Sequence, residues 1–197
     1  PGKVTLTAGS TINQTAGAIS VADLVFSAGA AVTLDQAANN FTTVSGTTAG
    51  GAISVADSAT DTQVKDLKTV GSSVTYAHTG VGDVTVTGTI SSGNGATNGG
   101  NITLTASHFL TIAASGIVST SVGAGGVLSG SGFTNNGTVT PGAGNISINA
   151  SGLDTVINTP INQAVDIILT ALRDIIIQTT LTASGTANIN LIADSDT

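Results

Sequence analysis

Short runs in which apolar side chains alternate with hydroxyl and amide side chains recur along the whole chain. The clearest is Gly100-Asn-Ile-Thr-Leu-Thr-Ala106. In a strand, successive side chains point to opposite faces, so Ile102 and Leu104 share one face while Thr103 and Thr105 share the other. Variants appear as Gly2-Lys-Val-Thr-Leu-Thr-Ala8, Gly82-Asp-Val-Thr-Val-Thr-Gly88 and Gly144-Asn-Ile-Ser-Ile-Asn-Ala150. Two more are Val165-Asp-Ile-Ile-Leu-Thr-Ala171, which is looser, and Ala187-Asn-Ile-Asn-Leu-Ile-Ala193. A strand this short cannot bury its apolar face alone, so the copies must stack on one another.

Copy starts at residues 2, 82, 100, 144, 165 and 187 are offset by 80, 18, 44, 21 and 22. These offsets read as four, one, two, one and one units of roughly 20 residues, a size that suits a solenoid coil. A second repeat, Thr15-Ala-Gly-Ala-Ile-Ser-Val-Ala-Asp23, returns nearly intact at Thr48–Asp57. Its offset fits no whole number of coils, which implies unequal loops or a shift of face. Shorter pieces such as Leu24-Val-Phe26, Val32-Thr-Leu34, Val74-Thr-Tyr76 and Leu110-Thr-Ile112 fill the gaps, separated by Gly, Asn, Ser and Asp turn residues. Spaced by about seven residues, three strands would make one coil. The expected fold is all-β: a parallel β-helix, or β-solenoid, of about nine coils and roughly 45 Å, forming one unit over residues 1–197.

Residues 165–177 can be read in two ways. Val165, Ile168, Leu169, Leu172 and Ile176 have helical spacing behind Thr159-Pro160. Yet β-branched residues dominate, and the repeat register falls on the same stretch, so strand is the expectation. The glycine-rich stretches Gly93–Gly100 and Gly123–Asn136 are expected to project as turns or loops.

Composition sharpens this picture. The chain carries 26 Gly, only 8 % charged residues and no Met, and all 11 of its acidic residues are Asp. Few strong helix formers remain. A net charge of −7 without a basic cluster argues against nucleic acid and anionic membranes as partners. No apolar run reaches the length of a membrane span. With no cysteine there is neither a disulfide framework nor a thiolate metal site.

The run Gly99–Ala106, followed by Leu110-Thr-Ile112, Ser115-Gly-Ile117 and the return at Gly144–Ala150, resembles filamentous-haemagglutinin-type repeats. These repeats belong to large bacterial exoproteins and adhesins of the two-partner secretion kind. Val4–Ile12 with Val32–Gln36, and Arg173–Ile177 with Ala187–Asp196, are similar to the same repeat class. The resemblance implies a right-handed parallel β-helix, export to the cell surface or medium, and a role as a fibrous shaft. That family's secretion domain carries Asn-Pro motifs, and this sequence holds no Asn-Pro pair. With Pro1 in place of Met and no signal peptide in view, the expectation is an interior segment of a longer fibre, or one unit of an end-to-end stack.

Candidate chemistry is sparse. His78 and His108 have no second His or acidic residue at ligand spacing, and both read as surface histidines beside turns. Asp57, Asp61 and Asp66 form the densest acidic patch and are the only candidate metal ligands worth naming, because hard cations need several oxygens. Lys65 and Lys68 beside them favour a solvated, charge-paired loop instead. Asp194 and Asp196 are a lesser version of the same idea. The only Arg, Arg173, reads as a strand residue beside Asp174. No catalytic constellation or phosphate loop is present in the sequence, so neither enzymatic activity nor a cofactor is expected.

Asn101, Asn145 and Asn188 occupy equivalent repeat positions and would form a stacked amide ladder. Thr-x-Thr pairs such as Thr103/Thr105 raise an ice-binding alternative, but the later copies break the pattern. The function expected is a stiff, secreted structural shaft at the bacterial surface or outside the cell. Its partners would be further copies joined end to end through open β-edges, and host-cell or surface glycans met by its loops. A carbohydrate-binding or polysaccharide-active β-helix is the alternative, although few aromatics are available for sugar stacking.

Overall fold

The computed structural model describes residues 2–93, 99–120 and 122–194. Sheet 1 begins with β1 (Lys3–Ala8), β3 (Ser20–Ala28), β5 (Asn40–Thr48) and β7 (Thr62–Lys68), stacked in that order. It continues through β9 (Val84–Val86), β12 (Phe109–Ile112), β15 (Gly132–Asn135), β18 (Thr155–Ile157) and β21 (Ile175–Ile177). Sheet 2 alternates with it along the chain, from β2 (Ile12–Asn13) through β4 (Val32–Leu34), β6 (Ile53–Asp57), β8 (Val74–His78) and β11 (Ile102–Ala106). Its remaining strands are β14 (Gly126–Gly130), β17 (Ile146–Ala150), β20 (Ile167–Ala171) and β23 (Ile189–Ala193).

Each strand pairs in parallel with its equivalent one coil away, and no described residue is helical. The chain is a β-solenoid of about nine coils, as its repeats predict. On sheet 2, Val32, Ile53 and Val74 follow at intervals of 21 residues. The step from Val74 to Ile102 is 28 residues, and the excess falls on Gly93–Gly100, of which residues 94–98 lie outside the described ones.

The cross-section changes along the axis. β3 and β5 are nine-residue strands that fill one side of the coil alone. Opposite Val44 and Ser45, β7 carries one extra residue, Lys65, between Val64 and Asp66. In the next coil that bulge has opened into a corner, Thr87-Gly88, between β9 and β10 (Thr89–Ser91). From there a third face follows: β13 (Ile117–Ser119) and β16 (Thr138–Thr140) stack on β10, and β19 (Ile161–Gln163) pairs with β22 (Leu181–Ala183). The three-strand coil expected throughout is therefore a property of the later coils only. A bulge adds one unpaired residue and bends its strand, which is the smallest step that turns two sides into three.

The inward columns are mainly aliphatic, with Phe26, Phe41, Tyr76 and Phe133 among them. Ile102, Leu104, Ile146, Ile148, Ile167 and Leu169 are all buried in one continuous core. Ile189 and Leu191 keep the same register against Ile167 and Leu169, but they are 40 % and 48 % exposed because only one coil packs on them. The repeat copies do not all share a face, however. Those at 100, 144, 165 and 187 lie on sheet 2, whereas those at 2 and 82 lie on sheet 1. The offsets of 80 and 18 thus do not count coils, since one motif serves both sheets. The Thr15–Asp23 duplication is likewise a shift of face: its first copy enters β3 and its second forms β6.

Residues 165–177 hold β20 and β21, as their β-branched content predicts. The glycine-rich stretch 123–136, expected to be a loop, instead contains β14 and β15, with Leu128 and Phe133 fully buried. Gly123 turns the chain with a φ of 82°, and Gly130 and Gly132 are there for clearance. A Cβ on Gly132 would sit 2.3 Å from the Phe109 ring, which lies over it from the preceding coil. Gly82, Gly100 and Gly144, which open three of the repeats, have the same cause: at Gly100 a Cβ would meet the Ser73 backbone nitrogen at 2.1 Å, whereas Gly2 in the first coil meets nothing within 4 Å.

Candidate functional site

The three acidic residues singled out by the sequence are not gathered into one site. Asp57 ends β6, points inward and is fully buried. Its Oδ1 accepts the backbone N–H groups of Phe41 (3.0 Å) and Ala59 (3.1 Å). Its Oδ2 accepts the Tyr76 hydroxyl at 3.0 Å and lies against the Thr62 hydroxyl. Burial and the adjacent Asp57 carboxylate push the Tyr76 phenol far above its ordinary value. A carboxylate with four donors around it is a satisfied structural centre. The solvated loop expected at Asp57 is thus corrected: its neighbours come from other coils and are invisible in local sequence.

Asp61 and Asp66 lie at the surface, and each accepts a backbone N–H from the next coil. The Asp83 nitrogen is 2.9 Å from Asp61 Oδ1, and the Thr89 nitrogen is 3.0 Å from Asp66 Oδ1. Lys68 pairs with Asp66 at 2.9 Å. Partial burial raises the Asp66 carboxyl, but hydrogen bonds from Lys68 and Thr89 outweigh it and hold the group below its ordinary value. Among the described residues no group of three His, Cys, Asp or Glu side chains converges to hold a metal ion.

The same device recurs at the start of other strands. Asn101 Oδ1 accepts from Gly125 N at 3.1 Å, and Asp166 Oδ1 accepts from Asn188 N at 2.8 Å. Asp154 Oδ1 accepts from Asp174 N at 3.2 Å. The expected asparagine ladder is therefore not continuous: in the column Asn101, Gly125, Asn145, Asp166 and Asn188, side-chain bonds link only Asn101 to Gly125 and Asp166 to Asn188. Its bonds run from side-chain oxygen to backbone N–H, so either Asn or Asp serves. Arg173 lies in the turn between β20 and β21, not inside a strand, and its guanidinium grips Asp154 of the preceding coil in a two-pronged pair at 2.9 and 2.7 Å. That pair, chiefly through the Arg173 hydrogen bonds, holds the Asp154 carboxyl below its usual range.

The two histidines part company. His78 is buried, its Nε2 donating to the Ala59 carbonyl at 2.9 Å, contrary to the surface position expected. His108 is exposed and does have an acidic partner, because its Nδ1 is 2.5 Å from Asp83 Oδ1. Asp83 lies 25 residues upstream, one coil away, so only the coil period could have revealed it.

The two principal outer faces differ in chemistry. Sheet 1 carries charges in its strands at Lys3, Asp23, Lys65, Asp66 and Lys68. The outward positions within the strands of sheet 2 carry none: Thr33, Ser54, Thr75 and Thr103 follow one another in register, and Ser147 and Ile168 extend the column. Two shallow grooves also open on this side, one around Gly125 and Gly126 and one between Thr170 and Ile192. Tyr76, Phe26, Phe41 and Phe133 are fully buried, which leaves no aromatic platform for sugar stacking on sheet 2.

Residues 1–48 match the model of a family described as repeats of unknown function (DUF5649). The matched stretch runs through β1 to β5, the coils built on two sides. No curated protein and no solved structure matches the chain. No helix in the described residues is long and apolar enough to cross a membrane.

Proposed function

We propose that this chain is a non-enzymatic shaft segment of a secreted bacterial fibre or surface adhesin, of the filamentous-haemagglutinin type its repeats resemble. One observation carries the reading. Polar side chains that could have converged on a ligand are instead engaged between coils: Asp61, Asp66, Asn101, Asp154 and Asp166 each accept a backbone N–H from the neighbouring turn. Bonds of this kind, charge-assisted at the four Asp residues and repeated along the axis beside a continuous apolar core, favour stiffness over chemistry. The strand ladder also lends itself to continuation, since an open coil end presents unpaired N–H and C=O groups. Further coils, of the same polypeptide or of a second copy, are the partners proposed for those ends, and glycans are the proposed ligands of its loops.

The test is to locate the full-length protein in its producing cell and image it. Recovery from the medium or outer surface as thin unbranched rods supports the proposal. Recovery as a compact particle in the cytosol would overturn it.

A further inference from the structure

We infer that the uncharged face of sheet 2 pairs side by side with the same face of a second copy, about a two-fold axis lying along β11. This inference does not rest on the shaft reading.

Charge favours a second copy as the occupant. A chain of net charge −7 repels a second copy overall, so two copies meet at least electrostatic cost through a face that carries no charge. Sheet 2 is that face: within its strands every outward side chain is a hydroxyl, an amide or an alkyl group. The charges of sheet 1 point the other way. Two solenoids pressed together through sheet 2 hold those charges roughly 30 Å apart, with sheets about 10 Å thick in stacking, against a screening length of about 8 Å. A charged partner would find nothing to pair with, and a sugar chain would find no aromatic ring.

Register then fixes the geometry. Sheet 2 has nine strands and β11 is the fifth, so an axis along β11 gives full overlap. Thr103 meets Thr103 of the second copy, Thr75 meets Val127, Ser54 meets Ser147 and Thr33 meets Ile168. Val127, 43 % exposed, thereby gains the methyl group of a threonine. Asp35 and Asp166, the carboxylates that flank β4 and β20, meet Thr170 and Ala31, so neither opposes a like charge. Eight steps of about 4.8 Å by five residues of about 3.3 Å give roughly 650 Å² per copy. Roughly 1,300 Å² for the pair falls at the lower end of specific interfaces, which points to a weak, reversible dimer.

The absence of cysteine makes the test clean. Thr103→Cys, Ser54→Cys, Ser147→Cys and, on sheet 1, Thr85→Cys are each treated with a short bis-maleimide. Circular dichroism confirms the fold of each. Thr103→Cys alone should cross-link to a dimer at least about tenfold faster than Thr85→Cys. Ser54→Cys should link efficiently only when mixed with Ser147→Cys, because two copies of residue 54 lie about 19 Å apart along the axis. Equal rates at residues 103 and 85, or efficient linking of Ser54→Cys by itself, would overturn the pairing. So would retention of the chain on an insoluble neutral polysaccharide that Thr103→Arg abolishes while no dimer is detected.

Discussion

The Tyr76 hydroxyl donates a 3.0 Å hydrogen bond to Asp57 across adjacent strands of sheet 2, both residues fully buried in a core that is mainly apolar. In a stack of near-identical coils, slippage by one coil costs little hydrophobic energy. A buried carboxylate that needs donors from three other segments tolerates no such slip, and fixing register is the best-attested use of a buried polar group.

Removing Asp57 leaves two N–H groups and a phenol without acceptors. Asp57→Ala should therefore destabilise the fold by about 3–5 kcal/mol, whereas Asp61→Ala, at the surface, should cost no more than about 1 kcal/mol. Urea denaturation of the two variants checks the contrast.

Tyr76 is the only tyrosine, so its ionisation can be read directly. Its folded-state pKa is raised above the ordinary 10.0 by burial first and by Asp57 second. The native state then holds the phenolic proton more tightly than the unfolded state, and stability must fall as pH rises above about 10. Tyrosinate absorbance should appear together with loss of the β-sheet dichroism, not as a separate titration near pH 10.

Asp23, Asp66 and Asp154 have the opposite sign. The Thr43 hydroxyl and Lys3 lower Asp23, while Lys68 and Arg173 lower the other two. Their contribution is present above the ordinary carboxylate pKa of about 4 and is lost as pH falls through the depressed values. Thermal melts should show stability falling below about pH 4, and Asp154→Asn should reduce the slope.

Position in the stack sets the cost of a core truncation. Leu104→Ala, between two coils, should cost about 2–5 kcal/mol. Leu191→Ala, at an equivalent position with 48 % exposure, should cost markedly less. Equal losses would contradict the packing described for the last coil.

Much of the fold was legible because alternation and period depend on single residues: Ile102, Leu104, Ile146 and Ile148 announce both the strand and its inward face. What was hidden depends on the pairing of coils. Nothing near Asp57 in sequence shows that Phe41 and Tyr76 will surround it, and nothing near His108 points to Asp83. Glycine misled for a related reason, since Gly130 and Gly132 mark close approach to the neighbouring coil and not a turn. The motif at residue 82 misled because sheets 1 and 2 make the same demand for alternation.

The stacked solenoid itself is tested most directly by one distance. Spin labels at Thr33→Cys and Asn190→Cys, diluted with unlabelled protein, sit in one outward column seven strand steps apart. At about 4.8 Å per step, pulsed dipolar spectroscopy should give a narrow distribution near 34 Å, broadened only by the label arms. A separation near 15 Å, or a distribution as broad as an unfolded chain, would contradict the coil-on-coil arrangement on which every other statement rests.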